Sequence, residues 1–280
     1  MGKHSDISQQ AQYSKIMDVA GRLKVASAED IDTAWNRLAL KPSKQVFFHP
    51  YLKLAASVAL VIVTLLTTYS VTQVEVLSAR GEHKTVSLPD DSQIKLNAES
   101  SLSYNKLLWL FDRNVVFEGE GFFEVTKGSR FTVSTDNGNV EVLGTSFNVY
   151  TRSDKFEVAC VTGKVKVYNT NNSVILTPGN TTSRQNDHLS TPVTFDKNIT
   201  AWQYGEFYFD NAKLSDVVAE IERQYNIDIE LDVERERFYT GFFQNNDIDV
   251  ALKMVCIPLG LKYDTRSSKN IIISTNEIFN

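Results

Sequence analysis

Hydrophobic and polar positions follow three different patterns along this chain of 280 residues. Residues 1–50 place apolar side chains at helical spacing, residues 54–71 contain no charged side chain, and from residue 73 onward apolar and polar positions alternate. These patterns are typical of amphipathic helices, of a membrane-spanning helix and of half-buried strands. The chain is therefore predicted to be a multidomain α+β protein.

The changes of period also place the domain boundaries. The predicted parts are a short helical segment (1–50), one transmembrane helix (51–72), an all-β domain (73–185), a polar linker (186–200) and a small α+β domain of βαβ-βαβ order (201–280). A chain of this length suits two or three folding units, which agrees with the division.

The N-terminal segment is predicted to contain two or three short helices. The first has apolar residues at helical spacing, namely Ile16, Val19, Ala20 and Leu23. Ser27, followed three residues later by Asp30, is typical of a capping box that starts the next helix. One face of that helix carries Ile31, Ala34, Trp35 and Leu38. About fifty residues bury little core, so this face either forms the core of a small bundle or binds a partner with Trp35 as its anchor.

One apolar run has the length and composition of a membrane span, with Leu54 and Val71 as its predicted ends. At about 1.5 Å per residue it measures about 27 Å, close to the thickness of the hydrocarbon layer. A buried core helix is the alternative, but the run is apolar on every face. It starts too far from the N-terminus for a cleaved signal peptide, so we expect it to persist as an anchor. Tyr51 and Tyr69 stand where interfacial aromatic residues occur.

Charge predicts the orientation of this span. Lys41, Lys44 and Lys53 precede it, whereas Arg80 and Lys84 are the basic residues that follow closely. Positive charge marks the cytoplasmic side of a membrane helix. The N-terminal segment is therefore expected in the cytoplasm, and the larger part of the chain on the other side of the membrane.

The net charge of -5 is also divided unevenly. Residues 1–53 hold eight Lys and Arg against five Asp and Glu, while the remaining residues hold 21 against 29. Phosphate binding needs clustered Lys and Arg, and the acidic bulk of the chain lacks them. Direct binding to nucleic acid is therefore not expected.

Candidate chemistry is sparse. Cys160 and Cys256 are too few for a disulfide framework, which leaves two buried thiols or a single pair open. No histidine or cysteine pair shows metal-ligand spacing, and neither a nucleophile elbow nor a complete dinucleotide fingerprint is present. We expect no catalytic residues, no metal and no cofactor. Acidic residues on the strands are read as solvated, with a glycosidase-type carboxylate pair left open.

Short alternating strands fill the region from residue 84 to residue 168, separated by turn signals. The strands are KTVSL, SQIKL, SSLSY, RNVVFEG, FFEV, RFTVST, NVEVLG, SFNVYT, KFEVACV and KVKVY. Asn137-Gly138 is the strongest hairpin signal. Gly119, Gly121 and Gly144 are expected where the backbone bends or approaches a neighbour closely.

These strands occur in a recognisable order. VSLPDDSQIKLNAESSLSY, RNVVFEGEGFFEV, RFTVST, VEVLGTSFNVY and VTGKVKVY resemble the periplasmic domain of FecR-type regulators, the ferric-citrate regulator family, over about residues 75–185. The chain departs from the family pattern at three points: Asp91 replaces a usual Gly, Gly121 a usual Ala, and no Pro lies between Arg130 and Phe131.

The C-terminal region alternates between strand and helix. Apolar residues at 214, 217, 218, 221 and 225 predict an amphipathic helix after the strand Phe207 to Phe209, and Asp247 is predicted to cap a second helix that Pro258 and Gly260 end. FDNAKLSDVVAEIERQYNIDI and FYTGFFQNNDIDVALKMVCIPLGLKY resemble the C-terminal domain of the same regulators, itself similar to the secretin and TonB N-terminal (STN) domain.

The resemblance implies an anti-sigma factor in the inner membrane, with a cytoplasmic N-terminus and periplasmic C-terminal domains. Its implied partners are an extracytoplasmic-function sigma factor, the signalling domain of a TonB-dependent outer-membrane transporter, and a periplasmic or intramembrane protease. Ile31, Ala34, Trp35 and Leu38 are then the predicted sigma-binding residues. Two alternatives stay open: an anchored periplasmic scaffold without a sigma partner, and an anchored hydrolase, which a cleft with paired, perturbed carboxylates would favour.

Overall fold

A computed structural model describes residues 6–23, 28–38, 50–195, 197–267 and 269–275. The chain divides into two units, residues 1–62 and 63–280, and the boundary falls inside a long helix. The described residues contain five helices: α1 Asp6–Arg22, α2 Ala28–Leu38, α3 Pro50–Thr72, α4 Leu214–Tyr225 and α5 Ile248–Cys256. This mixture of helices and strands confirms the α+β class, while the domain boundaries stay predictions.

Nineteen strands complete the described structure. The first ten are β1 Gln73–Ser78, β2 Lys84–Ser87, β3 Gln93–Leu96, β4 Ser100–Asn105, β5 Arg113–Glu124, β6 Phe131–Thr135, β7 Gly138–Val142, β8 Ser146–Arg152, β9 Lys155–Cys160 and β10 Val165–Tyr168. The others are β11 Ser173–Leu176, β12 Asn180–Gln185, β13 His188–Leu189, β14 Val193–Thr194, β15 Glu206–Lys213, β16 Asp228–Asp232, β17 Phe238–Gln244, β18 Leu261–Ser267 and β19 Asn270–Thr275.

The first unit contains the predicted N-terminal helices. Helix α1 ends at Arg22, and its apolar residues Ile16 and Val19 are exposed. Helix α2 follows, while Ser27 of the predicted capping box lies outside the described residues. The apolar side chains that the structure describes on these two helices are exposed, including Trp35 and Leu38 of α2.

Strands β1 to β14 form two sheets that share one strand. The first half of β5 pairs with β4 and β6, and its second half pairs with β3 and β8. One sheet therefore runs β1-β4-β5-β6-β7-β10-β11, and the other runs β2-β3-β5-β8-β9-β12. The sequence predicts two strands here, RNVVFEG and FFEV, but the chain bends within a single strand instead of stopping.

Gly119 makes this bend in β5. Its φ of 107° favours glycine, and an added Cβ would lie 2.3 Å from Ser100 Oγ. The predicted role of this glycine is confirmed. The close approach predicted at Gly144 is also confirmed. Its φ is 149°, and an added Cβ would lie only 2.7 Å from Lys127 Cα.

Apolar residues from both sheets meet in one core. Phe123 and Phe147 of one sheet are fully buried, as are Phe131 and Val133 of the other. The Phe123 and Phe147 rings stack with centroids 5.1 Å apart. Alternation along the strands therefore turns one face of each sheet inward, as the sequence predicts.

Local backbone conformation and packing explain two departures from the family pattern. Asp91 has a φ of 63°, the left-handed region that favours Gly and that Asp tolerates. Gly121 lies under Phe117, whose Cζ would be 2.9 Å from an added Cβ, so an Ala there would displace the ring. The predicted hairpin is also confirmed, joining β6 to β7, but its two turn residues are Asp136 and Asn137, because Thr135 pairs with Gly138.

Regular secondary structure occurs in residues 186–195 and 197–200, the region of the predicted polar linker. They contain β13 and β14, which both pair with β12, and the start of the 3-10 helix Lys197–Tyr204. Asn172 holds this stretch in place, because its side chain accepts from Leu189 N and donates to Leu189 O, both at 2.9 Å. These strands are held by local polar contacts and carry no alternating apolar residues. The hydrophobic pattern of the sequence therefore does not predict them.

In the C-terminal domain the order of elements is confirmed, but the expectation of one small sheet is wrong. Strands β15 and β17 form one antiparallel pair, and β16, β19 and β18 form a second sheet. Helices α4 and α5 contribute to a core that both sheets share, including Val217, Ile221 and Leu252. Each of these helices packs against strands of both sheets. Asp247 caps α5 as predicted, accepting from Asp249 N and Val250 N.

Candidate functional site

The predicted sigma-binding face lies on α2. Trp35 is 68% exposed and Leu38 is 70% exposed. Residues three apart on a helix share a face, so these two side chains form an apolar patch that the described residues of this chain leave open. The side chains of Ile31 and Ala34 lie outside the described part of the structure. The assignment of these four residues to a sigma factor stays a prediction.

Helix α3 is the candidate membrane span. Its segment Lys53–Thr72 has a mean hydropathy of 2.0 over the most apolar window, and none of that window is buried. Such a helix is long and apolar enough to cross a membrane, and the absence of cover separates it from a core helix of a soluble protein. The structure is thus compatible with single-pass anchoring. Leu54 and Val71, the predicted ends, both lie within α3.

A buried polar network joins the β domain to the C-terminal domain, both of which belong to the second unit. We call this network the junction; its members are Asn97, Glu120, Asn148, Trp202, Glu220, Arg223 and Gln224. Trp202 Nε1 donates to Asn148 Oδ1 at 3.0 Å, and Gln224 Nε2 donates to Asn97 Oδ1 at 2.8 Å. Both bonds are buried and cross from one domain to the other.

Glu120 lies at the centre of the junction. Its carboxylate accepts from Asn97 Nδ2 at 2.8 Å and from Asn148 Nδ2 at 3.1 Å. Glu220 of α4 is bonded on its own side, to Arg223 at 2.6 Å and to Gln224 at 2.8 Å. Every carboxylate oxygen of the pair therefore has a partner from the protein.

Burial is the main cause of the raised pKa of Glu120. Desolvation, reinforced by the negative charge of Glu220, raises the pKa of Glu120 to about 7. The two asparagine hydrogen bonds and the charge of Arg152 oppose this change. At neutral pH the junction consequently contains a carboxyl group that is close to its titration midpoint.

This cluster corrects the prediction that the acidic residues of the strands are solvated. Glu120 is only 9% exposed, because the C-terminal domain covers the outer face of its sheet. The adjacent apolar pair Phe122-Phe123 is the sequence signal that could have revealed the cover, since Phe122 packs in the C-terminal core and Phe123 in the β core. An apolar residue on each face indicates a strand buried on both sides.

The same cluster bears on the hydrolase alternative. Glu120, Glu157 and Glu220 line a cavity of about 290 Å³ between the domains, and burial also raises the pKa of Glu157. Paired carboxylates in a cleft are the observation that would favour a hydrolase. Here the oxygens of Glu120 accept from two asparagine amides, and those of Glu220 accept from the Arg223 guanidinium and the Gln224 amide. Both carboxylates are therefore bonded within the junction.

The two cysteines are free and buried. Cys160 belongs to the β core and Cys256 to the C-terminal core. Burial raises the pKa of each thiol to about 11. The expectation of two buried thiols is confirmed, and both are protonated at neutral pH.

Comparison with known proteins identifies the family. Residues 74–166 match the family described as FecR protein, and residues 206–273 match the family described as FecR, C-terminal. Two crystal structures of a proposed anti-sigma factor from Parabacteroides distasonis ATCC 8503, at 2.50 Å and 1.65 Å, are each 30% identical with a TM-score of 0.67. Each alignment covers 72% of this chain and 99% of the other. No curated protein sequence matches this chain.

The chain belongs to the FecR family. Both halves of the resemblance found in the sequence are confirmed by separate family matches, in the same order along the chain. The further likeness of the C-terminal domain to STN domains stays a prediction.

Proposed function

We propose that this protein is a single-pass anti-sigma regulator of the inner membrane, with a cytoplasmic N-terminus and periplasmic C-terminal domains. Family membership, together with a structural relative described as an anti-sigma factor, is the observation that carries the proposal. The candidate span supports it, because it separates a short helical segment from the β-rich unit. The lysines before the span favour the orientation.

Helix α2 is the proposed binding element for an extracytoplasmic-function sigma factor. Its exposed Trp35 and Leu38 suit a helix-in-groove contact, in which one buried tryptophan often dominates the binding energy. Ile31 and Ala34 complete the proposed face. This partner is a protein, so the acidic balance of the chain is no obstacle to control of transcription.

The periplasmic part is proposed to respond to the signalling domain of a TonB-dependent outer-membrane transporter. The C-terminal domain is the part that the family resemblance assigns to this contact, and the junction supports a relay because it ties that domain to the β domain by directional bonds. A single helix transmits rigid motion poorly, so we propose that a protease releases the N-terminal segment. A chain made resistant to cleavage that still signals fully would contradict this route.

Capture of a sigma factor by the full-length chain tests the proposal. Detergent-solubilised wild-type protein is expected to retain an extracytoplasmic-function sigma factor of the same genome in a co-expression pull-down. Trp35→Ala should lower capture by at least tenfold, because truncation of a central tryptophan anchor costs about 2 kcal/mol or more. Tyr13→Ala is the matched control, since Tyr13 is an exposed aromatic residue of α1.

Two outcomes would overturn the proposal. Failure of the wild-type chain to retain any sigma factor would favour the anchored scaffold instead. Topology mapping that places the N-terminus and the C-terminus on the same side of the membrane would remove the relay altogether.

A further inference from the structure

An apolar segment lies exposed between β4 and β5. Its residues, 107–111, include the 3-10 helix Leu108–Leu110, and we call it the apolar segment. Leu110 is 82% exposed and Phe111 is 86% exposed, so neither side chain packs in the core of the β domain. Trp109 points the other way and is buried against Tyr104 and Phe131, with ring centroids 5.4 and 5.8 Å apart. Trp109 thus fixes the segment with its leucines and phenylalanine outward.

Hydrogen bonds attach this segment to the last turn of α3. Asn105 Oδ1 accepts from Leu107 N and Leu108 N, at the start of the 3-10 helix, at 3.0 and 3.1 Å. The same oxygen accepts from Thr72 Oγ1 at 3.0 Å, and Asn105 Nδ2 donates to Tyr69 O at 3.0 Å. One side chain therefore holds the end of the candidate span beside the apolar segment.

The strand registers place further loops at the same end of this sheet. Gln73, the first residue after α3, pairs with Asn105, and Arg113 pairs with Phe131, which in turn pairs with Val142. The loops that flank these residues carry exposed basic side chains, namely Lys106, Lys127, Arg130 and Lys164. The described residues form no ion pair with any of these four, while the acidic residues at this end are Asp112, Asp91 and Asp90, of which Asp90 is paired with Arg113. Basic residues therefore outnumber acidic residues at this end, although the chain beyond residue 53 is acidic.

We propose that the apolar segment inserts into the surface of the membrane that α3 crosses, so that the β domain rests on the bilayer. Exposed Leu and Phe side chains beside a ring of basic residues match the boundary between acyl chains and anionic headgroups. Lipid is the proposed partner of this surface because Asn105 bonds both to the segment and to Tyr69, the residue predicted to lie at the membrane interface. The inference rests on the proposed membrane span.

Site-specific labelling of the full chain in phosphatidylglycerol-containing nanodiscs tests the contact. An environment-sensitive fluorophore is attached at Leu110→Cys, at Val63→Cys within α3, and at Thr170→Cys in the β10-β11 turn at the opposite end of the sheet. The unsubstituted chain, whose own cysteines are buried, reports background labelling. Lipids with spin labels near the headgroup should quench position 110, whose emission should shift to shorter wavelength. Lipids with spin labels deep in the acyl chain should quench position 63, while position 170 stays unquenched by either lipid.

The three positions separate the outcomes. Quenching at 63 but not at 110 would overturn the inference and leave the proposed span standing. Absence of quenching at both would contradict the span as well. Equal quenching at 110 and 170 would show that the domain adheres to lipid without a specific contact, and would also overturn the inference.

Discussion

The junction and the apolar segment are two places in the β-rich unit that depart from the usual rule of apolar residues inside and polar residues outside. They do so in opposite ways. At the junction, carboxylates and amides are buried; at the apolar segment, leucine and phenylalanine are exposed. The reversal at the junction is compensated within the chain, because each carboxylate accepts from donors of its own domain. Trp202 and Gln224 of the C-terminal domain then bond to the two asparagines of the β domain. The reversal at the apolar segment has no such compensation among the described residues. The contrast indicates one interface inside the protein and one toward its surroundings.

The two interfaces also differ in what they can specify. Buried hydrogen bonds contribute modest net stability, but they are directional and costly to break. The junction therefore favours one orientation of the two domains. An apolar contact with lipid is not directional, so the apolar segment would set the distance of the β domain from the membrane and leave it free to turn about that contact.

Among the variants that test this comparison, removal of Trp202 should have the largest effect on the free energy of unfolding. Its indole is buried in the C-terminal core and donates to Asn148, so Trp202→Ala removes both packing and a bridging bond. A loss of about 3–5 kcal/mol in the free energy of unfolding is expected, measured by denaturant titration of the solubilised chain. Tyr204→Ala, in the same 3-10 helix but 83% exposed, should change stability by less than about 0.5 kcal/mol. Equal losses for both variants would show that the junction contributes nothing specific.

The protonation of Glu120 should have an intermediate effect. The folded state raises the pKa of Glu120 from an ordinary 4.5 to about 7, so the folded protein retains a proton that the unfolded chain releases. Its contribution to stability is full below pH 4.5 and is lost as the pH rises through 7, with an upper limit of about 3 kcal/mol.

The test for Glu120 is the melting temperature as a function of pH. Glu120→Gln should flatten the decline between pH 5 and 8, because the titrating group is gone. Glu118→Gln alters an exposed carboxylate of the same strand and should keep the wild-type slope. A wild-type slope in Glu120→Gln would show that Glu120 is ionised in the folded protein throughout this range.

The apolar segment should show the smallest effect on stability. Leu110→Ser combined with Phe111→Ser alters two exposed side chains, so the free energy of unfolding in detergent should stay within about 0.5 kcal/mol of wild type. Retention of stability would separate this surface from the junction and mark its hydrophobicity as a feature for binding. A loss comparable to that of Trp202→Ala would instead make the segment part of the core.

Hydrophobic periodicity was sufficient to predict most elements of the structure. The apolar run of α3, the helical face of α4 and the alternating strands from β2 to β10 each express a local period. The periodicity failed where polar contacts hold the backbone, as in β13 and β14, and where Gly119 turns one strand through two sheets. Neither case leaves a local pattern of apolar residues.

The junction could not be predicted in this way. Asn97 and Gln224 are 127 positions apart and are common surface residue types, so their bond depends on the packing of two domains. The same holds for the apolar segment: LLWLF reads as core, and only the fold shows that Trp109 is inside while Leu110 and Phe111 are outside. Tertiary contacts decided which of these residues are covered.

The sequence by itself determined the family, the candidate span and the type of most elements, because each depends on local periodicity or on motifs in a given order. Tertiary structure alone decided how the two sheets share β5, how the domains join through the bonds of Asn97 and Asn148, and which apolar residues remain outside. These features depend on contacts between positions far apart in the sequence. Whether a residue is buried depends on those contacts and cannot be read from the residue type alone.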